Sequence, residues 1–406
     1  MKTILATTYA VNPFKGSEDG MGWNFIYQIA RYNKVIAITR KNNQAEIIRY
    51  MSENPDPIYD NINFLFFDLP KWAMFWKKGS RGALLYFYLW QRFVLNYIKK
   101  QKLNYDIVHN VNFHNDWTPS YLWKLGKPFV WGPIGHHPGI SKEYLKSYSN
   151  KYYIKDRLTS LVKSFFWNFS FSLKKTKLYA KHIFCMNKSV PLNLKLTEGN
   201  YSITPSVATQ DFGYVPKDSP DKFTVISAGR LVPLKGFDLT IKAFSKFVSV
   251  LSPNKKQKCE LIIVGDGPEL NNYKQMVKDL DMEDYVRFIN WMDRSNLMNL
   301  YKQSSVFMFP SHEGAGMVVA EALSFGLPIL CLDNCGPGEF IDSNCGIAVS
   351  YSDYDQTIKE LYYGLSILFN SPNLYKSMSI NARKRFESRF HWDVRGEEFR
   401  KVYMSI

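Results

Sequence analysis

The sequence predicts a two-domain α/β protein, and three observations lead to that prediction. A chain of 406 residues is longer than one ordinary hydrophobic core supports, so we expect two domains. Apolar runs typical of buried β-strands alternate with segments of helical periodicity, which favours parallel sheets flanked by helices. The polar stretch Tyr214–Asp221 contains two prolines, suits neither helix nor strand, and marks the expected boundary.

The alternation of strand and helix is regular in the second half of the chain and looser in the first. In the second half we predict strands at 223–228, 260–264, 286–289 and 306–309. In the first half the predicted strands are 3–8, 35–39, 63–67, 107–109, 129–132 and 182–186. The pattern predicts two Rossmann-like, doubly wound domains that face each other across a cleft. We place them at 1–213 and 214–384, and we expect a helix near 385–406 to pack back on the first domain.

Charge is divided unequally between the two halves. Residues 1–213 hold 29 Lys and Arg against 13 Asp and Glu, so they carry the whole net charge of +16. A basic half beside a neutral half indicates contact with an anionic surface or ligand. The 5 cysteines have no Cys-x-x-Cys spacing, which is typical of reduced thiols. No apolar run is long enough to cross a bilayer.

One segment of the second half combines small residues with carboxylates. Ser311–Glu321 reads Ser-His-Glu-Gly-Ala-Gly-Met-Val-Val-Ala-Glu and follows a predicted strand. Its glycines let backbone N–H groups approach a ligand, and the start of the next helix favours negative charge. Glu313 and Glu321 could accept hydrogen bonds from sugar hydroxyls. A capped helix with a solvated Glu321 would explain the same pattern.

The Glu-x₇-Glu spacing in this glycine-rich setting resembles the signature of the retaining glycosyltransferases of family four, which have the two-domain GT-B fold. Further elements occur in the family's order, which makes chance agreement improbable. These elements are Gly229-Arg230-Leu231 followed by Lys235-Gly236, the turn Gly265-Asp266-Gly267-Pro268, the pair Pro310-Ser311, and Glu339. The resemblance covers the second domain and, more weakly, the first.

The resemblance implies a role for each of these positions. Arg230 and Lys235 would neutralise the donor diphosphate as charge develops on the leaving nucleotide. Glu313 would contact the transferred sugar, and Glu321 would hold the ribose hydroxyls. The other donor-side positions are the loop glycines, the start of the helix and the strand that reads the base: Gly229, Gly265, Gly267, Gly314, Ala315, Gly316, Met317, Val318 and Arg287.

Candidate residues of the first domain lie in loops after predicted strands. Gly20 and Gly22 belong to a glycine-containing loop after the first strand, where we expect the donor phosphate or acceptor. The family places a histidine of this domain beside the reacting sugar, and we assign that position to His114. A hydrogen-bonded structural role would also explain a histidine at a strand end. The candidates for contact with the acceptor are His109, His136 and His137.

We expect no metal and no other cofactor. Cys and His nowhere occur with ligand spacing, and we interpret Asp353 and Asp355 as a helix cap. Retention of configuration implies either a double displacement or a same-face attack assisted by the leaving phosphate. The second route needs no enzymic nucleophile. As the co-substrate we favour a UDP-sugar over a GDP-sugar.

Basic and aromatic residues occur together in two segments of the first half. Lys142–Lys181 surrounds the run Phe165–Phe171 with Lys and Arg, and Lys71–Lys78 repeats the pattern. Such segments suit an interface with anionic lipid. A helix with an aromatic core face and a solvated basic face is the alternative. Nucleic acid also binds such patches, but it would leave the motifs of the second half unexplained.

The sequence therefore predicts a retaining, metal-independent hexosyl- or related glycosyltransferase. It would move a sugar from a nucleotide sugar to a hydroxyl of a glycan or lipid-linked acceptor in cell-surface polysaccharide (O-antigen, capsule or LPS) biosynthesis. We expect a cytoplasmic protein with peripheral contact at the cytoplasmic face of the inner membrane and no nucleic-acid partner. The alternatives are a nucleotide-sugar epimerase or glycogen-type synthase on the same fold, or a non-catalytic glycan- or nucleic-acid-binding protein.

Overall fold

A computed structural model describes residues 1–406 apart from 78, 80, 112–114, 215, 217–220 and 352. Every predicted strand occurs, with ends that agree within two residues, and β7, β12 and β13 are additional. The strands are β1 Thr3–Thr7, β2 Lys34–Thr39, β3 Ile62–Phe66, β4 Ile107–Asn110, β5 Phe129–Ile134, β6 Ala180–Cys185, β7 Tyr201–Ile203, β8 Phe223–Ala228, β9 Cys259–Val264, β10 Val286–Ile289, β11 Val306–Phe309, β12 Ile329–Leu332 and β13 Gly346–Val349.

Helices connect these strands. The interpretation of Asp353 as a helix cap is confirmed, because its carboxylate accepts a hydrogen bond from the Gln356 N–H at 2.8 Å. The helices are α1 Ser17–Ala30, α2 Gln44–Glu53, α3 Ala83–Gln101, α4 Lys142–Leu145, α5 Asn150–Phe169, α6 Phe171–Tyr179, α7 Ser189–Leu194, α8 Phe237–Ser249, α9 Pro253–Lys256, α10 Leu270–Asp279, α11 Arg294–Gln303, α12 Met317–Ser324, α13 Pro337–Phe340, α14 Tyr354–Asn370, α15 Pro372–Arg389 and α16 Trp392–Ser405.

The chain divides into two compact units. The first comprises Met1–His136, Leu161–Ser206 and Trp392–Ile406, and the second comprises His137–Ser160 and Val207–His391. The boundary predicted at 213/214 lies a few residues after Ser206, and most of 214–221 lies outside the described residues. No sequence pattern predicts that His137–Ser160, here named the connecting segment, belongs to the second unit.

The first unit is built on a parallel sheet with the strand order β3-β2-β1-β4-β5-β6-β7. Helix α16, the last element of the chain, packs on α1 in this unit. The Phe25 ring lies 5.6 Å from Trp392 and 5.5 Å from Phe399. These aromatic contacts bury the apolar face of α1. Helix α16 corresponds to the helix that we expected near 385–406 to pack back on the first domain.

The second unit is built on a parallel sheet with the order β10-β9-β8-β11-β12-β13. The chain moves outward from β8 to β9 and β10, and then returns to place β11 on the other side of β8. Strand order therefore reverses between β8 and β11, and in doubly wound sheets the ligand crevice opens at the carboxyl ends of such a pair. The loops after β8 and β11 contain the motifs predicted to bind the donor.

Tyrosines hold the connecting segment to the second unit. The Tyr144 hydroxyl lies 2.8 Å from the Thr357 hydroxyl, and the hydroxyls of Tyr148 and Tyr273 are 2.9 Å apart. Buried hydroxyls stabilise a fold only when they find partners, so these pairs fix which side of the segment faces inward. The sequence interpretation treated the same residues only as part of a basic, aromatic stretch.

The prediction that Gly20 and Gly22 lie in a loop after β1 is wrong, because α1 already begins at Ser17. Gly20 and Gly22 are buried within this helix, and an added Cβ at Gly20 would overlap the Lys15 carbonyl oxygen. The Gly20 N–H donates to the Gly16 carbonyl at 3.3 Å. Close packing thus explains the small residue at Gly20. The donor-binding role predicted for Gly20 and Gly22 stays a prediction, and their position inside α1 disfavours it.

The left-handed glycine at the end of the β8 loop should be intolerant of substitution. Gly236 has φ +68°, and an added Cβ would overlap the Pro310 carbonyl oxygen, whereas Gly213 has φ +86° and open space around it. We expect Gly213→Ala to cost about 1 kcal/mol for its backbone conformation. Gly236→Ala should cost at least about 2 kcal/mol more because of the overlap. Denaturant unfolding of both variants measures the difference, and equal losses would contradict the packing described here.

Candidate functional site

The candidate site is formed by loops at the carboxyl edge of the second sheet. The Ser311 hydroxyl and the His312 N–H both donate to the Leu234 carbonyl, at 3.1 and 2.9 Å. An added Cβ at Gly265 would overlap the Gly229 carbonyl oxygen, and Gly265 has φ +143°. Only glycine permits this approach of two backbones. The loops after β8, β9 and β11 therefore meet as the sequence motifs implied.

Lys235 and Glu313, both predicted as catalytic, lie in direct contact. The Lys235 Nζ is 2.6 Å from Glu313 Oε2, and both side chains are largely buried. The same ammonium lies 5.1 Å from the Phe309 ring centre. A cation and a carboxylate with little solvent around them interact more strongly than a surface pair. Arg230, in contrast, is exposed at the rim of the β8 loop.

Arg294 supplies a second cation that sequence reasoning did not identify. It is the first residue of α11, and its guanidinium lies 2.7 Å from Glu321 Oε1. Burial raises the pKa of Glu321, and the charge of Arg294 partly opposes that rise. Arg294 also donates to the Thr209 hydroxyl at 2.9 Å. No spacing in the sequence links Arg294 to Glu321, because the pair depends on the packing of α11 beside α12.

The start of α12 and the loop before it complete the edge. Helix α12 begins at Met317, as predicted, and Gly314 and Gly316 are buried. The Asn334 amide, from the loop after β12, donates to the Ser311 carbonyl at 2.6 Å. An added Cβ at Gly336 would overlap the Glu313 carbonyl oxygen. Ala315 in the loop and Met317 and Val318 at the start of α12 are partly exposed, where their backbone N–H groups would have to meet a ligand.

The connecting segment supports the same loop from outside. The Gly314 N–H donates to His137 Nδ1 at 3.2 Å, so the ring proton of a neutral His137 lies on Nε2. The Tyr144 ring lies 5.1 Å from the His312 ring. His137 was predicted on the acceptor side, and the structure places it against the loop that was predicted to hold the donor.

His312 is a buried histidine inside the predicted site segment. Its Nδ1 has no hydrogen-bond partner among the described residues, and burial lowers its pKa to about 3. The ring is therefore neutral at every physiological pH. Its packing against Tyr144 and Tyr351 fixes the backbone between Ser311 and Glu313.

The remaining histidine candidates belong to the first unit. His136 Nδ1 lies 2.8 Å from the buried Asp116 carboxylate, which also accepts from the Asn193 amide at 2.9 Å. An acidic partner on Nδ1 orients the ring and fixes its protonated nitrogen, an arrangement that acid–base catalysis also uses. His114, assigned to the reaction centre, lies outside the described residues. Its role stays a prediction.

His109 is engaged within the first unit. Its Nδ1 lies 2.5 Å from the Tyr403 hydroxyl and its Nε2 lies 2.7 Å from the Gly132 carbonyl. The ring is fully buried, and burial lowers its pKa to about 3. Because both ring nitrogens have partners, this placement disfavours the predicted contact with an acceptor and explains His109 as a link between β4 and α16.

Arg287 points to the opposite end of the sheet from the site. Its Nε lies 3.1 Å from Glu260 Oε1, and Glu260 also pairs with Lys222 at 2.5 Å. Lys222 precedes β8 and Glu260 is the second residue of β9, so this cluster lies at the amino ends of the strands. A cross-strand ion pair explains Arg287, and its role in donor binding stays a prediction that this position disfavours.

Comparison with known proteins identifies the domain that carries the site. Residues 215–385 match the family model described as Glycosyl transferases group 1. This part of the chain belongs to the group 1 glycosyltransferases. The resemblance derived from the motifs is thereby confirmed, and the matched range includes every loop at the carboxyl edge of the second sheet. Among the described residues no three His, Cys, Asp or Glu side chains are grouped to hold a metal ion.

Individual relatives agree with the group 1 glycosyltransferase assignment. An uncharacterized glycosyltransferase of Haemophilus influenzae is 37% identical over 164 residues, which are 39% of this chain and 43% of that protein. The lipopolysaccharide core biosynthesis glycosyltransferase LpsE of Rhizobium meliloti is 32% identical over 139 residues, 34% of this chain and 37% of LpsE. The chain thus spans less than half the length of these curated relatives. These matches do not favour the epimerase or the non-catalytic alternatives.

A solved structure extends the comparison to both units. The crystal structure of Anabaena Alr3699/HepE in complex with UDP aligns over 100% of both chains, with a TM-score of 0.63 and 14% sequence identity. At this identity the likeness shows the fold alone. It confirms the GT-B fold class predicted from the sequence.

Acid should destabilise the second unit through His312. The folded ring stays neutral down to about pH 3, whereas an unfolded histidine takes up a proton near pH 6.5. Its depressed pKa therefore contributes stability that is present above pH 6.5 and is lost as the pH falls. Between pH 7 and pH 5, the unfolding free energy of the wild type should fall by about 2 kcal/mol more than that of His312→Gln.

Denaturant unfolding at the two pH values measures this difference. The matched control is His391→Gln, which removes a partly exposed histidine from the same unit. An unchanged pH dependence in His312→Gln would show that the buried ring is protonated in the folded state or that it is not buried.

Proposed function

We propose that the chain is a retaining glycosyltransferase that moves a sugar from a nucleotide sugar, preferably a UDP-sugar, to a hydroxyl of a glycan or lipid-linked acceptor. The observation that carries this proposal is the Lys235–Glu313 contact of 2.6 Å at the point where the strand order reverses. A group 1 glycosyltransferase domain with both residues in one crevice has a cation for phosphate and a carboxylate for sugar hydroxyls.

The donor diphosphate would lie against Lys235 and Arg230. Departure of the nucleotide places negative charge on the diphosphate, and a fixed cation stabilises that charge without reorganisation of solvent. Glu313 keeps the Lys235 ammonium in the crevice while no donor is bound, since the two side chains form a largely buried ion pair. Gly316 and the first residues of α12 would then contribute backbone N–H groups to phosphate or sugar oxygens, whereas the Gly314 N–H already donates to His137.

Glu321 would bind the ribose. Its carboxylate is buried and held by Arg294 at 2.7 Å, so its position is fixed before a ligand arrives. Carboxylates accept hydrogen bonds from paired hydroxyls. Glu313 and Glu321 thus hold the donor, and the proposed reaction is a same-face attack by the acceptor hydroxyl that the leaving phosphate assists. It uses no enzymic nucleophile and no metal.

The acceptor side is the first unit with its excess of positive charge. We propose a cytoplasmic enzyme that works at the cytoplasmic face of the inner membrane, in the assembly of a cell-surface polysaccharide. The LpsE relative is named for lipopolysaccharide core biosynthesis, and this supports the choice. His136, which is oriented by Asp116, is the proposed acceptor-side residue of this unit.

Turnover of nucleotide sugars tests the proposed function. We expect hydrolysis or transfer with at least one donor from a panel of UDP-, GDP- and ADP-sugars, and a rise in melting temperature with the nucleotide that binds. NMR of the product should show retained anomeric configuration, and EDTA should leave the rate unchanged. Absence of both binding and turnover with every donor would exclude the enzyme.

Lys235→Ala should reduce transfer by at least about 100-fold, because it removes the cation from the leaving group. The loss of unfolding free energy should stay below about 2 kcal/mol, since the pair is not fully buried. Lys278→Ala, on the exposed side of α10, is the matched control and should retain the wild-type rate. Transfer by Lys235→Ala at near wild-type rate would remove Lys235 from the site.

A further inference from the structure

Helices α5 and α6 both expose apolar side chains to solvent in the first unit. Phe165 is 59% exposed, Phe169 73% and Leu178 71%, and Leu161 and Phe171 are exposed to a similar degree. Leu161, Phe165 and Phe169 recur every fourth residue of one helix, so they form a stripe along it. We name the side chains of Leu161, Phe165, Phe169, Phe171 and Leu178 the outer face. Exposed apolar groups that are collected in this way mark an interaction surface.

The core-facing side of the same helix is formed by other residues. Phe166 lies 5.2 Å from Trp117 and 5.6 Å from Tyr88, and Trp167 lies 5.3 Å from His136. An aromatic core face therefore exists, as one of the two sequence interpretations required. It leaves the outer face without an explanation, because that interpretation expects polar residues there.

The stretch of chain that carries the outer face has charged side chains of one sign from Arg157 to Lys195. No Asp or Glu occurs between Asp156 and Glu198. The Lys175 ammonium lies 5.3 Å from the ring of Phe171 and 5.5 Å from that of Tyr179, so positive charge is interleaved with the apolar groups. The lysines of these two helices and the next strand in the first unit are Lys163, Lys174, Lys175, Lys177 and Lys181.

The start of α3, in the same unit, carries further exposed apolar side chains. Leu84 and Leu85 are exposed there, one turn before Tyr88, whose ring touches Phe166. Trp72 and Phe75, in the segment before α3, are more than three-quarters exposed, at 78% and 79%. This part of the chain also lacks acidic residues from Leu69 to Tyr105.

We propose that the outer face seats the first unit on a bilayer surface that contains anionic phospholipid. The aromatic and leucine side chains would enter the headgroup region, and the lysines would meet lipid phosphates. None of the described helices combines the length and apolar character of a membrane span. The inference gives the proposed membrane location a defined surface, and it depends on none of the donor-site assignments.

The charge and the side-chain types of the outer face favour anionic lipid over a second copy of the chain or nucleic acid as the binding partner. A second copy of the chain would bring the same positive surface, and like charges oppose self-association. Single-stranded nucleic acid would match the charge, but Leu161 and Leu178 offer no ring on which a base could stack. An anionic lipid surface suits both the charge and the aliphatic groups.

Co-sedimentation of the full chain with vesicles tests the proposal. We expect binding to phosphatidylcholine vesicles that contain phosphatidylglycerol, weaker binding to phosphatidylcholine alone, and a decrease at high salt. Phe165→Ser with Phe169→Ser should weaken binding at least about tenfold through lost apolar burial. Lys174→Glu with Lys175→Glu should abolish the preference for anionic lipid.

Matched variants of the second unit serve as controls. Trp291→Ser removes a ring that is 76% exposed, and Lys274→Glu with Lys278→Glu reverses two exposed charges on α10; neither should alter vesicle binding. The rate of sugar transfer to a soluble acceptor without vesicles distinguishes the membrane proposal from the proposed glycosyltransferase function. Variants that lose vesicle binding should keep the wild-type rate in this assay. Failure of the wild type to bind anionic vesicles would overturn the inference. Unchanged vesicle binding by the variant with Phe165→Ser and Phe169→Ser would also overturn it. So would a dimeric wild type that these two substitutions convert to a monomer, because the outer face would then bind a second copy of the chain.

Discussion

The candidate site depends on how closely loops meet at the carboxyl edge of the second sheet. Gly265 lies on Gly229, and Gly236 lies on Pro310, with no space for a Cβ at either contact. This approach brings Lys235, from the loop after β8, within 2.6 Å of Glu313, from the loop after β11. A larger residue at either glycine would separate the loops and the two charged groups with them. The electrostatic contact between Lys235 and Glu313 therefore depends on the close backbone packing at these glycines.

Charge at this edge is organised before any ligand binds. Each of the two carboxylates has its own cation, Lys235 for Glu313 and Arg294 for Glu321, so that burial does not leave a charge uncompensated. Burial of His312, the residue before Glu313, keeps that ring neutral, and the segment Ser311–Glu321 therefore carries no third charge. A fixed arrangement of this kind can stabilise charge on a leaving diphosphate with little rearrangement.

Much of this could be predicted from sequence because the relevant signals are local. Strand–helix periodicity gave the sheets, and the glycine-rich turns marked the loops that contain Lys235 and Glu313. Arg294 and the Tyr144 support could not be predicted, since each depends on the packing of elements that are distant in the chain. His109 was misleading for the same reason: its partner Tyr403 is 294 residues away. Arg287 matched a motif position, but Glu260 on the adjacent strand binds it.

Hydrogen exchange of backbone amides with and without UDP tests the central claim most directly. UDP in the crevice should slow exchange in the loops 229–236 and 265–267 and in the segment 311–321, since bound ligand restricts local opening. Exchange around Glu260 and Arg287, at the opposite end of the same sheet, should not change. Protection at that opposite end, or no protection anywhere with UDP or another nucleoside diphosphate, would contradict a donor site at the carboxyl edge.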